Sequence, residues 1–330
     1  MVLQTPHTRR GSRITLFLAI PVSLLLLSSL AKAQETEPID VISVRTDLVA
    51  VSVTVTDSRG RRITDLKQAD FLLTDDGRDA RIDYFASGAE RIALAFVLDD
   101  SGSLREQLSR QRDAALGLFS RFGPASSVAV IRFGQQAKLV APFTRETDSA
   151  RAAFGVAMNL SERTAIFDAA IVAIQAYASR AENSPERRIA ILISDGLDTA
   201  SRANAQQVIA AANRTNVSFY VIELPLFTPS DGRLVPRPAA KGFRDLAEKT
   251  GGRFFVAGTS ASALNPNTPV DLTPVFAAIE EDLRSQYVIG FYPGDASRDG
   301  QPHRTAVGLL NSKLKVHQLR NSYSLKPAHD

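Results

Sequence analysis

Two short apolar runs, each ending abruptly in acidic and hydroxyl side chains, constrain this chain more than any other feature. Ile92-Ala93-Leu94-Ala95-Phe96-Val97-Leu98 is followed by Asp99-Asp100-Ser101-Gly102-Ser103, and Ile189-Ala190-Ile191-Leu192-Ile193 is followed by Ser194-Asp195-Gly196. An apolar run without polar alternation is how a strand reads when both faces of a parallel sheet are covered. After the first run, Leu104, Leu108, Ala115, Leu118, Phe119 and Phe122 recur at helical spacing. The polar segment therefore joins the carboxyl end of a strand to a helix, where open α/β sheets hold their ligands.

Side chains at i, i+2 and i+4 of an extended segment point the same way. Asp99, Ser101 and Ser103 can thus converge three oxygens, with Gly102 easing the turn. Such a donor set suits a divalent cation. It also suits an ordinary strand-to-helix loop with Ser103 as the N-cap, and Asp-x-Ser-x-Ser arises by chance in on the order of one chain in ten of this length. Two features favour the cation. Thr164 opens the helical run Ile166 to Tyr177, and Asp195 follows the second buried strand, so both belong at the same sheet edge.

On these residues the chain resembles the von Willebrand factor A family, whose metal-ion-dependent adhesion site combines Asp-x-Ser-x-Ser with a Thr and an Asp from later loops. Arg163-Thr164-Ala165-Ile166-Phe167-Asp168-Ala169 is similar to the helix start of such domains, and Asp195-Gly196-Leu197-Asp198 to their Asp-Gly-x-Asp loop. The resemblance implies Ser101, Ser103 and Thr164 as hydroxyl ligands, with Asp99 and Asp195 binding directly or through water. The family usually has glycine before the Thr; here Glu162 and Arg163 stand there. Few charges would then hold the cation, leaving it electron-poor and open to a partner's Asp or Glu carboxylate. Hard oxygen donors favour Mg²⁺, with Ca²⁺ or Mn²⁺ as alternatives, over Zn²⁺. A structural envelope module with a decayed metal site is the alternative reading, and a metal-dependent hydrolase the less favoured one.

The residues available weigh against enzymes. The four histidines, His7, His303, His317 and His329, all lie outside the α/β region, and neither a Gly-x-Ser-x-Gly elbow nor a Gly-x-x-x-x-Gly-Lys loop occurs. Strand alternation points Asp100 away from Asp99, toward solvent or a neighbouring loop, so the two do not form a paired carboxylate centre. Zero cysteines exclude disulfides, thiolate catalysis and cysteine-ligated zinc.

Arg9, Arg10 and Arg13 precede an apolar run from Ile14 to Leu30, and Ala31-Lys32-Ala33 has the form of a signal-peptidase site. The expected leader is residues 1–33, with cleavage before Gln34, export to the periplasm or beyond, and no stable membrane span afterwards. An uncleaved single-span anchor is the alternative. Of the 39 basic residues four fall in the leader, which has no acid, so the mature chain is formally neutral against 35 acidic residues. No basic stretch of the size nucleic-acid binding needs is present.

The 330 residues, 44% of them hydrophobic, suit more than one domain. In residues 34–90, Val49, Val51, Val53 and Val55 alternate with polar or small residues as a half-buried strand, and Phe71 to Thr74, Asp76-Gly77 and Ala80 to Phe85 read as a hairpin. This segment resembles the leading segment of bacterial exported VWFA-related proteins, the type abundant in acidobacteria. From 91 to 284, strands at 127–133, 137–143, 189–193, 217–224 and 253–256 alternate with helices, predicting a doubly wound, mostly parallel sheet with 137–143 as an antiparallel edge. Pro225 to Ala240, with four prolines, reads as a surface connector. Residues 285–330 carry an alternating strand from Gln286 and later short strands too few to fold alone, so they are expected to pair with 34–90 in a β-sandwich.

Overall fold

In the computed structural model, residues 48–88, 91–100, 104, 111–155, 163–178, 180, 186–259, 270–318 and 320–325 are described. The leader, Ser101, Ser103 and Glu162 lie outside the described residues. Those described belong to one compact unit that runs from Arg45 onward.

Four strands come first: β1 (Val49–Thr56), β2 (Phe71–Asp75), β3 (Arg78–Asp79) and β4 (Tyr84–Ser87). The hairpin at Asp76-Gly77 is shorter than its sequence suggests. Only Arg78 and Asp79 pair back onto β2, and the chain then leaves, so that Ala80 to Phe85 is not one strand. Both turn residues take positive φ, which fixes a tight reversal.

The α/β region follows as β5 (Ile92–Asp99), α1 (Arg112–Ser120), β6 (Ser127–Phe133), β7 (Ala137–Thr144), α2 (Thr147–Phe154), α3 (Ile166–Ala178), β8 (Arg187–Ser194), α4 (Ala205–Arg214), β9 (Val217–Glu223), β10 (Phe227–Ser230), β11 (Arg233–Pro236), α5 (Phe243–Glu248), β12 (Phe254–Val256) and α6 (Thr273–Arg284). Six of these strands form one sheet in the order β12-β9-β8-β5-β6-β7, parallel except for the antiparallel edge β7. This is the doubly wound arrangement expected from the sequence.

Every residue of β5 is buried. Ile92, Leu94, Phe96 and Leu98 pack on one face with Ala115, Leu118, Phe154, Phe276 and Ile279, from α1, α2 and α6. Ala93, Ala95 and Val97 pack on the other with Ile166, Ala170, Val208 and Leu246, from α3, α4 and α5. Large side chains thus face one helical layer and small ones the other, bringing α3 close to the sheet.

The chain closes with β13 (Gln286–Phe291), β14 (His303–Leu309), β15 (Lys315–Gln318) and β16 (Ser322–Tyr323). They interleave with the first four strands in two antiparallel sheets, β15-β1-β13-β4 and β16-β14-β2-β3. Val51, Val53, Phe71, Leu73, Tyr287 and Ile289 form their shared core. A single residue, Ser285, separates α6 from β13.

Candidate metal centre

The site is built where β5, β6 and β8 end. Parallel pairing sets Leu98 beside Ile193 and Asp99 beside Phe133, so Asp99 and the Ser194-Asp195 loop leave the same sheet edge. Ser194 donates its hydroxyl to Asp99 Oδ2 at 2.6 Å and accepts the Gly196 amide at 3.2 Å. Asp99 is fully buried and Asp195 nearly so. Asp195 Oδ1 accepts the Leu197 amide at 2.8 Å, yet burial still pushes its carboxyl above the usual carboxylate range, with Arg237 pulling the other way.

Thr164 is brought in by backbone bonds. Its amide donates to Thr199 Oγ1 at 2.9 Å, and its carbonyl accepts the Thr199 and Ala200 amides at 2.8 and 3.0 Å. The next residue, Ala165, donates to the Gly134 carbonyl beyond β6 at 2.8 Å. Asp99, Thr164 and Asp195 therefore belong to three loops laced together at one edge.

The lacing continues through residues whose role the sequence reading left unassigned. Asp198 Oδ2 and Ser201 Oγ accept the Phe167 amide at 3.1 and 3.0 Å, capping α3 from a distant loop. In return Asp168 accepts the Arg202 and Ala203 amides at 2.9 to 3.1 Å. Asp-Gly-x-Asp and Thr-Ala-x-x-Asp are thus two halves of one clasp. Gly196 closes it from below: its φ is +82°, and a Cβ there would sit 2.7 Å from the Ala239 Cβ. Glu223, beside Ser194 in register, is another half-buried carboxylate raised by burial and by Asp195.

One expectation is corrected. Asp100 does not face solvent: it is buried, its amide bonds the Phe133 carbonyl at 2.7 Å, and its carboxylate pairs with Arg132, itself fully buried on β6. Arg132 also bonds the Phe154 carbonyl. A buried carboxylate needs a charge partner, and β6 supplies it across the sheet edge. Asp100 is a strut for the loop, distinct in task from Asp99.

A fully buried Asp99 that already takes a serine hydroxyl, a buried Asp195 and a Thr hydroxyl loop make an oxygen-only set that fits a hard divalent cation. Among the described residues no group of three or more His, Cys, Asp or Glu is gathered to hold a metal.

The model of the von Willebrand factor type A domain matches residues 93–266, just over half of the chain. The chain belongs to the von Willebrand factor type A domain family. Its domain is therefore of a class that serves as an interaction module.

Among solved structures, an aerotolerance-related membrane protein from Bacteroides fragilis is 18% identical over 58% of this chain and 98% of its own, with a TM-score of 0.43. A von Willebrand factor type A protein from Catenulispora acidiphila is 13% identical over 76% of this chain and 75% of its own, at 0.45. Proximal thread matrix protein 1 from the mussel byssus, with a zinc-occupied MIDAS motif, is 14% identical over 62% and 48%, at 0.45. Comparison with curated proteins finds no match. Among the described residues, no helix is long and apolar enough to cross a membrane.

Proposed function

We propose that this chain is a non-enzymatic, exported binding protein of the bacterial VWFA-related type. Its A-type domain holds one divalent cation, Mg²⁺ in the first place, through Asp99, Ser101, Ser103, Thr164 and Asp195, and engages an Asp or Glu carboxylate of a protein partner. Residues 1–33 are the leader; 34–90 and 285–330 form the supporting sandwich around the A-type domain at 91–284. The cation would supply an electrophilic binding point that a neutral loop lacks.

The observation that carries the reading is the tethering of the Asp99, Thr164 and Asp195 loops at one sheet edge, two of these groups being buried carboxylates. Burying a carboxylate is unfavourable unless a cation or donors compensate. Asp99 takes the Ser194 hydroxyl and Asp195 the Leu197 amide, and a cation would add charge compensation to both.

Mg²⁺ titration followed by thermal shift tests the metal, and a Mg²⁺-dependent pull-down from the envelope fraction tests the partner. Both signals are expected from the native chain and neither from Asp99→Ala. Equal retention of partner in chelator, or by Asp99→Ala, overturns the reading.

A further inference from the structure

The connector Pro225 to Ala240 is not an irregular loop. It carries the two-stranded hairpin β10-β11, closed by Asp231-Gly232, whose φ values of +51° and +74° are those of a type I′ turn. The register is Phe227↔Pro236, Thr228↔Val235, Pro229↔Leu234 and Ser230↔Arg233. Its base is fixed to the candidate metal centre: Ala240 donates to the Gly196 carbonyl at 2.7 Å, and the Arg237 amide closes onto the Leu226 carbonyl at 2.7 Å. Arg237 is near enough for its charge to act on Asp195.

The prolines show how the hairpin can be used. In a two-residue hairpin closed by a bonded pair, the pairs at Pro229 and Pro236 are the ones whose amides point outward. Proline at both removes an outward donor from each edge without touching the internal ladder, which blunts addition of a further strand. What is left to meet a partner is side chains. Thr228, Ser230, Arg233 and Val235 share one face, and all four are exposed. Arg233 stands four residues, about 13 Å, beyond the Arg237–Leu226 closure at the hairpin base.

Charge then identifies the partner. Arg233, Arg237 and Lys241 are exposed on the hairpin and its base, and Arg202 is exposed on the loop whose backbone Asp168 holds. Asp231, at the hairpin tip, is the one exposed acid on the same segment, while Glu223 is half-buried under the influence of Arg244. Asp168 and Asp198 are spent on backbone amides.

We propose that the hairpin and its base are a basic reading arm, and that the partner is an extended protein segment carrying several carboxylates: one for the cation, the rest for Arg233, Arg237 and Lys241. This rests on the metal-site reading above for the first carboxylate only.

The test is fluorescence anisotropy of labelled peptides bearing one glutamate or four, against the full chain in Mg²⁺ and in chelator. Native chain is expected to bind the four-glutamate peptide about tenfold tighter, since each exposed charge pair is worth about two- to threefold and three of them compound to that step. Added salt should shrink that ratio. Arg233→Glu/Lys241→Glu should bring it close to one while the Mg²⁺ thermal shift persists, which shows the fold and metal site intact. Equal binding of the two peptides by native chain, or an unchanged ratio in the double variant, overturns the arm. Asp99→Ala reports separately: a ratio surviving in that variant and in chelator leaves the arm standing, whereas absolute affinities for both peptides that neither the variant nor chelator lowers remove the metal-site reading.

Discussion

Asp100 and His303 show two ways in which a charged side chain is made useful to this fold. Asp100 is buried against the Arg132 guanidinium and ties the end of β5 to β6. His303 sits on the sandwich with its ring between two carboxylates, Nδ1 at 2.7 Å from Asp76 and Nε2 at 3.0 Å from Asp299. Its ring also stacks on Tyr323, at 5.4 Å between centroids, and the Tyr323 hydroxyl donates to Asp75. Arg78 and Arg304 flank the same turn. The hydrogen bonds to Asp76 and then Asp299 raise the His303 pKa above the ordinary imidazole value near 6.5. Asp76 and Asp299 are lowered below 3.8, first by the Arg304 and Gln301 amides and then by His303. A raised imidazole stabilises fully below 6.5 and loses that stabilisation as pH rises through its folded value; the lowered carboxylates contribute above 3.8 and lose theirs as pH falls. The cluster therefore stabilises most between those limits. Thermal melts on the alkaline side of 6.5 should show native chain losing stability relative to His303→Gln, and an imidazole NMR titration of His303 should give a midpoint above 6.5. Parallel pH profiles for the two chains would refute the assignment.

At the scale of elements, the clasp between α3 and the 198–203 loop decides whether Thr164 and Asp195 stay together. Asp168→Ala removes the acceptor for the Arg202 and Ala203 amides. Water reaches the exposed Arg202 amide in the variant, so the loss is that of ordinary hydrogen bonds, about 1 kcal/mol. We expect a destabilisation of that size in chemical denaturation, together with a weaker Mg²⁺ response, although Asp168 is not among the proposed ligands. A stability loss with the Mg²⁺ midpoint unmoved would separate the clasp from the site. Much of this architecture is legible in the sequence. The unbroken apolar runs indicate buried parallel strands, and Ala137, only a short turn beyond Phe133, indicates the antiparallel edge. Size alternation in Ile92-Ala93-Leu94-Ala95-Phe96 also indicates which face receives which helix layer, a signal hidden when all these residues are counted as apolar. The β10-β11 hairpin is masked by its prolines, even though Asp231-Gly232 is a hairpin turn signal. The burial of Asp100 depends on Arg132, 32 residues away, and no local pattern reveals that pairing.

Across the whole molecule, one buried network joins the α/β sheet, its last helix and the sandwich. Asp282 on α6 accepts the Tyr220 hydroxyl of β9 at 2.6 Å and the Gln286 amide of β13 at 2.7 Å. Arg62, from the loop after β1, reaches the same carboxylate at 2.5 Å and also bonds Ser285. Arg187 at the start of β8 bonds Gln286 and, at 2.8 Å, the Leu283 carbonyl. With Ser285 as the whole connection between α6 and β13, neither part can loosen without exposing these groups. The native chain is accordingly expected to unfold in one calorimetric transition. Asp282→Ala would leave the Arg62 charge and the Tyr220 hydroxyl without their acceptor, a loss of about 3–5 kcal/mol if the pair behaves as buried pairs do when one partner is removed. Because the loss falls at the junction, the variant's transition should broaden or split, with the α/β part and the sandwich melting apart. Two transitions in the native chain, or a variant that melts as one sharp transition at an unchanged temperature, would mean that the network fills the junction without coupling its two sides.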